Sequence, residues 1–469
     1  MPDDPNADVQ RRFDALVSGL DLDDLRGLAQ VLPIRRERLP RPELRRPPLR
    51  DRRVFRVRVD LDDSDPVIWR RLELRSDLHL NVVHQAIQSA FGWWDYHLNR
   101  FTLGGAPWDQ HSQVFACKED IDEADLEDEA ILDSLVRFDE TLQEAGDVLH
   151  YAYDYGDSWE LTIRLEEVLP YEPGTPSARC VAGERAAPPE DCGSLRTADE
   201  LAEVLDDPSA FDIDEVNAAL QQAYFALVEI GIHPNLVEIV NRLRLTEFGD
   251  DLTARALALG TSRAEPTIDQ ITAALRPHQW FLDRAAGEGI VLTAAGYLKP
   301  ADVEVVAPLV PAVAEWIGKN NREAHTYPLQ DFRESLRHLG LLRKLKGRLV
   351  ITKVGRAAQG DPHRLWQHLA DRLRALGDSE DAFVRQANLL VLLYAATVDD
   401  AELPLDRVAQ AMREFGWATS RGPLTGRDLS HLEALDLLRN VSDRPVDFRC
   451  RDRISTPAAA LARAALTAG

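Results

Sequence analysis

The sequence predicts an α+β domain of antiparallel strands and helices, followed by a mainly α second half. Three observations lead to this fold class. Strand-like and helix-like segments alternate over residues 54–165, two strands at 151–165 are joined by a short turn, and helical patterns dominate beyond about 223. We expect four parts: an N-terminal helical segment (1–34), an Arg/Pro-rich linker (35–53), the α+β domain (54–222) and the helical region (223–469).

The composition is typical of a cytoplasmic protein without a membrane segment. The 469 residues include 79 acidic and 55 basic side chains, and the net charge of -24 argues against nucleic-acid binding by the whole surface. A local basic patch stays possible. We find no signal-peptide pattern at the start and no apolar run that could cross a bilayer. The four scattered cysteines suit a reducing compartment.

The N-terminal part contains a predicted helix and an arginine-rich linker. Residues 7–30 have helical periodicity, and residues 35–53 carry nine arginines and three acids among several prolines. Prolines prevent a helix and favour an extended, solvated chain. We interpret 35–53 as a tether between folded parts, with a basic arm that contacts phosphate as the alternative.

The α+β domain begins with two strands and a helix. "VFRVRVDL" alternates from residue 54, which predicts a half-buried strand, and "PVIWRRLEL" predicts a second. "LNVVHQAIQSAF" then changes to helical spacing and is ended by Gly92, with an apolar stripe of Leu80, Val83, Ile87 and Phe91. "HLNRFTLGG" predicts another strand. The acidic run at 119–129 is interpreted as a solvated face.

"YAYDYGDSWELTI" at 151–163 predicts a hairpin with Asp154 and Asp157 in its turn. Two registers are open. A two-residue turn would place Asp154 opposite Trp159, whereas a three-residue loop would pair Tyr155 with Trp159 and Asp154 with Glu160. We favour the second register because it collects the large apolar groups on one side.

These segments resemble the plasmid pRiA4b ORF-3-like family over about 54–222. The residues that carry the resemblance are "PVIWRRLEL", "VHQAIQSAFGWWDYHLNRF", "YAYDYGDSWELTIRLEEVL", "CVAGERAAPPEDCGS" and "FDIDEVNAAL". The family implies an α+β domain found on plasmids, mobile elements and bacterial chromosomes, without an implied activity. Many relatives have a cysteine where this chain has Ala187, so Cys180 and Cys192 are weak metal candidates with too few partners for a thiolate zinc site.

One polar set could carry chemistry. Two imidazoles and three carboxylates could hold a divalent metal and activate water, and these candidates are His84, His97, Asp154, Asp157 and Glu160. No tight ligand spacing connects them, so the simpler interpretation is a core histidine and turn aspartates. Glu190 and Asp191, after two prolines, are expected to form a cap or an ion pair. No cofactor is predicted beyond a possible divalent metal.

The helical half resembles winged-helix modules, most clearly at 326–360 and 405–469. In the first, a helix ending at Gly340 precedes a hairpin that turns at Lys346-Gly347; in the second, a helix is predicted from Thr425. A winged helix often places one helix in the DNA major groove and its hairpin on the backbone. The DNA-contact candidates are Arg333, Arg337, Arg343, Lys344, Lys346 and Arg348.

Together these observations favour a non-enzymatic plasmid- or mobile-element-associated protein that binds DNA or a protein partner. The C-terminal half would make the contact. The alternative is a metal-dependent hydrolase or nuclease that uses the acidic "YDYGDSWE" hairpin. No phosphate loop, nucleophile elbow or complete zinc pattern occurs in the sequence.

Overall fold

A computed structural model describes residues 41–124, 130–261, 265–398, 402–442 and 453–467. The predicted helix at 7–30, the first part of the linker and the strand-like "VDFRC" at 446–450 lie outside these residues. Within the described part of the chain, no helix is both long enough and apolar enough to cross a bilayer.

A large, mainly antiparallel sheet forms the first half. Its spatial order is β5-β4-β3-β6-β7-β1-β2-β8, and the β4–β5 pair is parallel. The strands are β1 (Arg53–Leu61), β2 (Ile68–Arg75), β3 (Asn99–Leu103), β4 (Gln113–Ala116), β5 (Ala130–Leu132), β6 (Val148–Tyr153), β7 (Trp159–Pro170) and β8 (Ala178–Glu184).

Short helices connect these strands and continue beyond β8. Helix α1 lies between β2 and β3, and the other helices described before residue 223 are at most seven residues long. They are α1 (Leu80–Phe91), α2 (Lys118–Ala124), a 3-10 turn (Asp133–Leu135), α3 (Phe138–Thr141), α4 (Ala198–Leu201) and α5 (Ile213–Ala219).

Helix α1 covers one face of the sheet. Its predicted stripe is buried, and Gly92 ends the helix in the left-handed conformation at φ 71°. The alternation in β1 is also confirmed, since Phe55 and Val57 are fully buried while Arg56 and Arg58 face the other side. The first half is therefore an α+β domain with one core face and one charged, solvated sheet face.

Two predictions about charged segments need correction. Residues 41–52 form no helix or strand, as their prolines favour, but they bind the domain through specific contacts although most of them are exposed. The backbone N–H of Leu44 donates to Gln113 at 2.7 Å, and Arg46 pairs with Asp147 at 2.5 Å. In the acidic run, Asp120 is only 1% exposed because it pairs with Arg100 at 2.8 Å.

The second half is mainly helical, as predicted. Its α-helices are α6 (Ala223–Ile230), α7 (Pro234–Arg242), α8 (Gly249–Leu259), α9 (Ile268–Ala274), α10 (Arg276–Ala285), α11 (Pro300–Val306), α12 (Tyr327–His338), α13 (Lys353–Ala358), α14 (Pro362–Leu376), α15 (Ala382–Thr397), α16 (Leu405–Glu414), α17 (Glu433–Arg439) and α18 (Thr456–Leu466). Its 3-10 turns are Ala307–Leu309, Pro311–Glu315, Glu323–His325 and Gly426–Leu429.

Helix α15 is the centre of this half. Every residue from 387 to 396 is buried, and α8, α16, α17 and α18 pack around it. A helix that is apolar on all sides must be enclosed by neighbours. Its core is continuous with that of the α+β domain, so the two halves share buried contacts.

In the described residues of this half, two small antiparallel sheets accompany the helices. One has the order β10-β11-β9 and contains β9 (Ile290–Val291), β10 (Leu342–Leu345) and β11 (Arg348–Ile351); the other contains β12 (Ala418–Thr419) and β13 (Gly422–Pro423). The predicted Lys346-Gly347 turn is confirmed, with φ values of 47° and 75°. Near residue 425 the predicted single helix is wrong: a 3-10 turn capped by Thr425 ends at Leu429, before α17 begins.

Candidate functional site

The β6–β7 hairpin turns through five residues, 154–158, and pairs Tyr153 with Trp159. The favoured register, which pairs Tyr155 with Trp159, is therefore wrong, as is the two-residue alternative. The buried rings of Tyr153 and Trp159 lie beside Trp93, at centroid distances of 5.2 and 6.2 Å. Aromatic packing thus determines the register, and the polar residues are left to the loop.

Asp154 leaves the strand at the start of this loop. Its φ is 49°, and its Oδ1 accepts the N–H groups of Gly156 at 3.1 Å and Asp157 at 3.3 Å. Asp tolerates the left-handed region and bonds its own backbone in turns. Asp154 and Asp157 are turn residues, as the simpler interpretation predicts.

A second loop, residues 185–196, packs against the hairpin turn. Asp157 Oδ2 accepts the N–H of Gly193 at 3.0 Å, and the carbonyl of Asp157 accepts the Ser194 hydroxyl at 2.7 Å. Glu190 accepts the N–H of Trp94 at 2.8 Å and the hydroxyl of Tyr153. Glu190 therefore joins two loops and does not cap a helix.

These contacts bring His97, Asp154 and Asp191 together. His97 Nε2 lies 3.1 Å from Asp191 Oδ1 and 3.5 Å from Asp154 Oδ2. Among the described residues, this is the group of three His, Cys, Asp or Glu side chains whose ligand atoms all lie within 4.8 Å of one another. The sequence placed His97 and Asp154 in a candidate set, but Asp191 was expected to be a cap or ion-pair residue.

The other acidic candidates lie apart from this group. Glu160 is opposite Ala152 in the strand pair and accepts the indole N–H of Trp108 at 2.8 Å. Asp157 accepts a hydrogen bond from the backbone N–H of Gly193 in the second loop. The predicted set of two histidines and three carboxylates is therefore not one constellation.

His84 belongs to the core. Its Nε2 lies 2.8 Å from Asp95 Oδ1, and its Nδ1 lies 2.7 Å from the hydroxyl of Tyr151. Burial alone would lower the pKa of His84, but the nearby carboxylate of Asp95 outweighs burial and raises it. Because both ring nitrogens have protein partners, His84 is a structural residue between α1 and the sheet.

Neither candidate cysteine belongs to the three-residue group. Cys180 is buried in β8, with its Sγ 3.3 Å from the carbonyl of Ala182, and Cys192 is half-buried in the second loop. Burial raises the pKa of both thiols, which disfavours the thiolate that a metal needs.

A second candidate surface is the hairpin of β10 and β11, which we call the basic hairpin (342–351). Arg343, Lys344 and Lys346 are exposed, and their side chains form no ion pair or hydrogen bond with another described residue. Arg348 pairs with Glu288 at 3.4 Å. The hairpin therefore presents three free cations near its turn.

Two of the predicted DNA contacts lie on helix α12 instead. Arg333 is 4% exposed and pairs with the buried Glu323 at 2.6 Å, so it cannot reach a phosphate group. The prediction that Arg333 contacts DNA is therefore wrong. Arg337 is on the surface but pairs with Glu334.

Residues 53–232, which contain the whole eight-stranded sheet, match the family described as "Plasmid pRiA4b ORF-3-like protein". This region is therefore similar to that family, and we call it the pRiA4b ORF-3-like domain. It includes the His97, Asp154 and Asp191 group, whereas the basic hairpin lies outside the matched residues.

The names of two similar proteins state no activity for this domain. One is "Uncharacterized protein y4hQ" of Sinorhizobium fredii (strain NBRC 101917 / NGR234), 28% identical over 157 residues, which are 33% of this chain and 75% of that protein. A crystal structure of a protein of unknown function, MM3350 from Methanosarcina mazei Go1, is 26% identical. The match covers 35% of this chain and 96% of that one, with a TM-score of 0.30.

Proposed function

We propose that the chain binds duplex DNA through a winged helix at residues 276–351, with the basic hairpin on the phosphate backbone. The order of elements supports this: α10, β9, α11, α12, then the β10–β11 hairpin. The antiparallel sheet order β10-β11-β9 places the hairpin beside the short first strand. In winged helices the last helix and this hairpin face the nucleic acid.

The observation that carries the proposal is the set of free cations on the basic hairpin. Phosphate contacts supply most of the affinity of proteins for DNA, and Lys and Arg make them. The side chains of Arg343, Lys344 and Lys346 project from a short, hydrogen-bonded hairpin. They are exposed, so they can contact a duplex without leaving a buried position. The chain as a whole has a net charge of -24, so binding should be confined to this patch.

The side chains of helix α12 favour contact with the DNA backbone over recognition of DNA bases. Leu329, Phe332 and Leu336 face the core, while the exposed side carries Asp331 and Glu334 with Arg337. Two carboxylates on a helix that approaches the major groove would repel phosphate. We therefore expect binding with weak sequence preference.

The test is the binding of the full-length protein to a random duplex, measured by fluorescence anisotropy across a salt series. The triple variant Arg343→Ala, Lys344→Ala, Lys346→Ala should weaken binding at every salt concentration. It should also lower the slope of log affinity against log salt by about 0.9 for each phosphate that the variant no longer neutralises.

A matched control removes three exposed cations elsewhere, Arg164→Ala, Lys319→Ala and Arg364→Ala, and thus changes the net charge equally. The control should retain the wild-type slope. Equal effects of the two triple variants, or no binding by the wild type at low salt, would overturn the proposal and leave a protein contact as the role of the hairpin.

A further inference from the structure

We propose that His97, Asp154 and Asp191 form a binding site for one divalent transition-metal ion, Zn²⁺ or Mn²⁺. The site lies in the pRiA4b ORF-3-like domain, where the β6–β7 turn meets the loop at 185–196. It is independent of the basic hairpin and therefore does not rest on DNA binding.

The distances between the three ligand atoms suit a metal ion. Bonds of about 2.0–2.2 Å from a metal to imidazole nitrogen and carboxylate oxygen place neighbouring ligand atoms roughly 3–3.5 Å apart. His97 Nε2 is 3.1 Å from Asp191 Oδ1 and 3.5 Å from Asp154 Oδ2. The two carboxylate oxygens lie at most 4.8 Å apart, and rotation of the exposed Asp191 side chain would bring all three ligand atoms around one ion.

The ring nitrogen at the centre of the group is buried between two carboxylates. His97 Nε2 is inaccessible to solvent and makes no hydrogen bond with any described residue, although two carboxylates flank it. A buried polar atom without a partner is costly, and a cation between the nitrogen and both carboxylates would satisfy all three.

The ligands are held in place before any ion binds. The Oδ1 atom of Asp154 accepts two backbone N–H groups of its own turn, which leaves Oδ2 directed toward His97. Asp191 lies between Glu190, which binds Tyr153, and the segment that Asp157 holds through Gly193. Supporting contacts of this kind orient metal ligands, and Asp157 is therefore a positioning residue.

The donor set selects the class of ion. One imidazole with two carboxylates suits Zn²⁺ or Mn²⁺ better than Ca²⁺, which takes six or more oxygen ligands. Three protein ligands leave a coordination position open, as in sites that bind water or a substrate. The open coordination position would face solvent, since the side chain of Asp191 is 73% exposed. The loop before His97 carries the exposed Trp94 and Tyr96.

The test uses full-length protein stripped with EDTA and titrated with ZnCl₂, and in parallel with MnCl₂, by isothermal titration calorimetry. The wild type should bind one equivalent of at least one ion. Asp191→Asn should weaken that binding about tenfold or more, since it removes a charged ligand. Asn tolerates the left-handed backbone at this residue, where φ is 56°, so the fold should persist.

Asp206→Asn, which removes an exposed acid in the same domain, is the control and should bind like the wild type. A second ligand variant, His97→Gln, should lose binding as Asp191→Asn does, and its circular dichroism spectrum should match that of the wild type. No binding by the wild type, or equal affinities of the wild type and Asp191→Asn, would overturn the proposal.

Discussion

Asn81 on α1 donates a hydrogen bond of 2.8 Å to Glu238 on α7, and this contact joins the α+β domain to the helical half. The Tyr224 hydroxyl donates a second bond of 3.0 Å to the same oxygen. Burial raises the pKa of Glu238 to about 7, and burial also raises the pKa of Asp133, in the same region, to about 7. The junction therefore contains two carboxyl groups that retain protons near neutral pH.

These carboxyl groups predict how stability depends on pH. In the folded chain the pKa values of both groups are higher than their ordinary values, which are 3.8 for Asp133 and 4.5 for Glu238, so folding tightens proton binding. Their contribution to the free energy of unfolding is full below those values and is lost as pH rises through about 7. As pH rises from 5 to 8, the free energy of unfolding of the double variant Asp133→Asn, Glu238→Gln should therefore decrease less than that of the wild type. Urea titrations at both pH values measure this difference. Parallel curves for the two proteins would contradict this.

The buried pair of Arg333 and Glu323 predicts a large effect on stability. Arg333→Ala leaves the carboxylate of Glu323, 1% exposed, without its cation, and such a change costs about 3–5 kcal/mol. Arg337→Ala, which removes the exposed partner of Glu334, should cost at most about 1 kcal/mol. Urea denaturation of both variants checks the contrast, and similar losses would show that Arg333 is not a core residue.

The extended segment at 41–52 predicts a difference between two truncations. A chain that starts at residue 53 lacks the bonds from Leu44 to Gln113 and from Arg46 to Asp147, whereas a chain that starts at 41 retains them. The shorter chain should therefore melt at a lower temperature, by at most about 2–4 °C for each kcal/mol of stability removed. Equal melting temperatures in differential scanning fluorimetry would mean that the segment contributes nothing to stability.

The turn of the basic hairpin allows stability and binding to be separated. Lys346 adopts a φ of 47°, which Asn tolerates better than Lys. Lys346→Asn should keep or raise the melting temperature while it lowers affinity for duplex DNA. Lys319→Asn, at an exposed position outside the hairpin, is the control for charge. Unchanged affinity in Lys346→Asn would exclude this side chain from the contact.

Several local elements in both halves could be predicted from the sequence pattern. The alternation in β1, the stripe on α1 and the Lys346-Gly347 turn depend on neighbours in sequence, and each is confirmed. The hairpin register could not be predicted because it depends on how Trp93, distant in sequence, packs against Tyr153 and Trp159.

The three-residue group was only partly predictable for the same reason. Asp191 lies in a loop rich in proline and glycine, and its position depends on contacts from Asp157 and Glu190. Its one sequence signal was an acid after two prolines, which fits a cap or an ion pair equally well. Arg333 follows Leu329 by four residues and so lies on the buried face of α12, but its charge suggested a DNA contact, and its role depends on the buried Glu323.

The C-terminal end of helix α18 lies beside the first residues of the helical half, between α6 and α7. Ile232 forms a β-bridge with Thr467, and the N–H of His233 donates to the carbonyl of Leu466 at 2.8 Å. These two contacts fix the last turn of α18 to the short segment that joins α6 and α7. Loss of α18 would therefore expose the start of α7, the helix that carries Glu238, and so weaken the contact with α1.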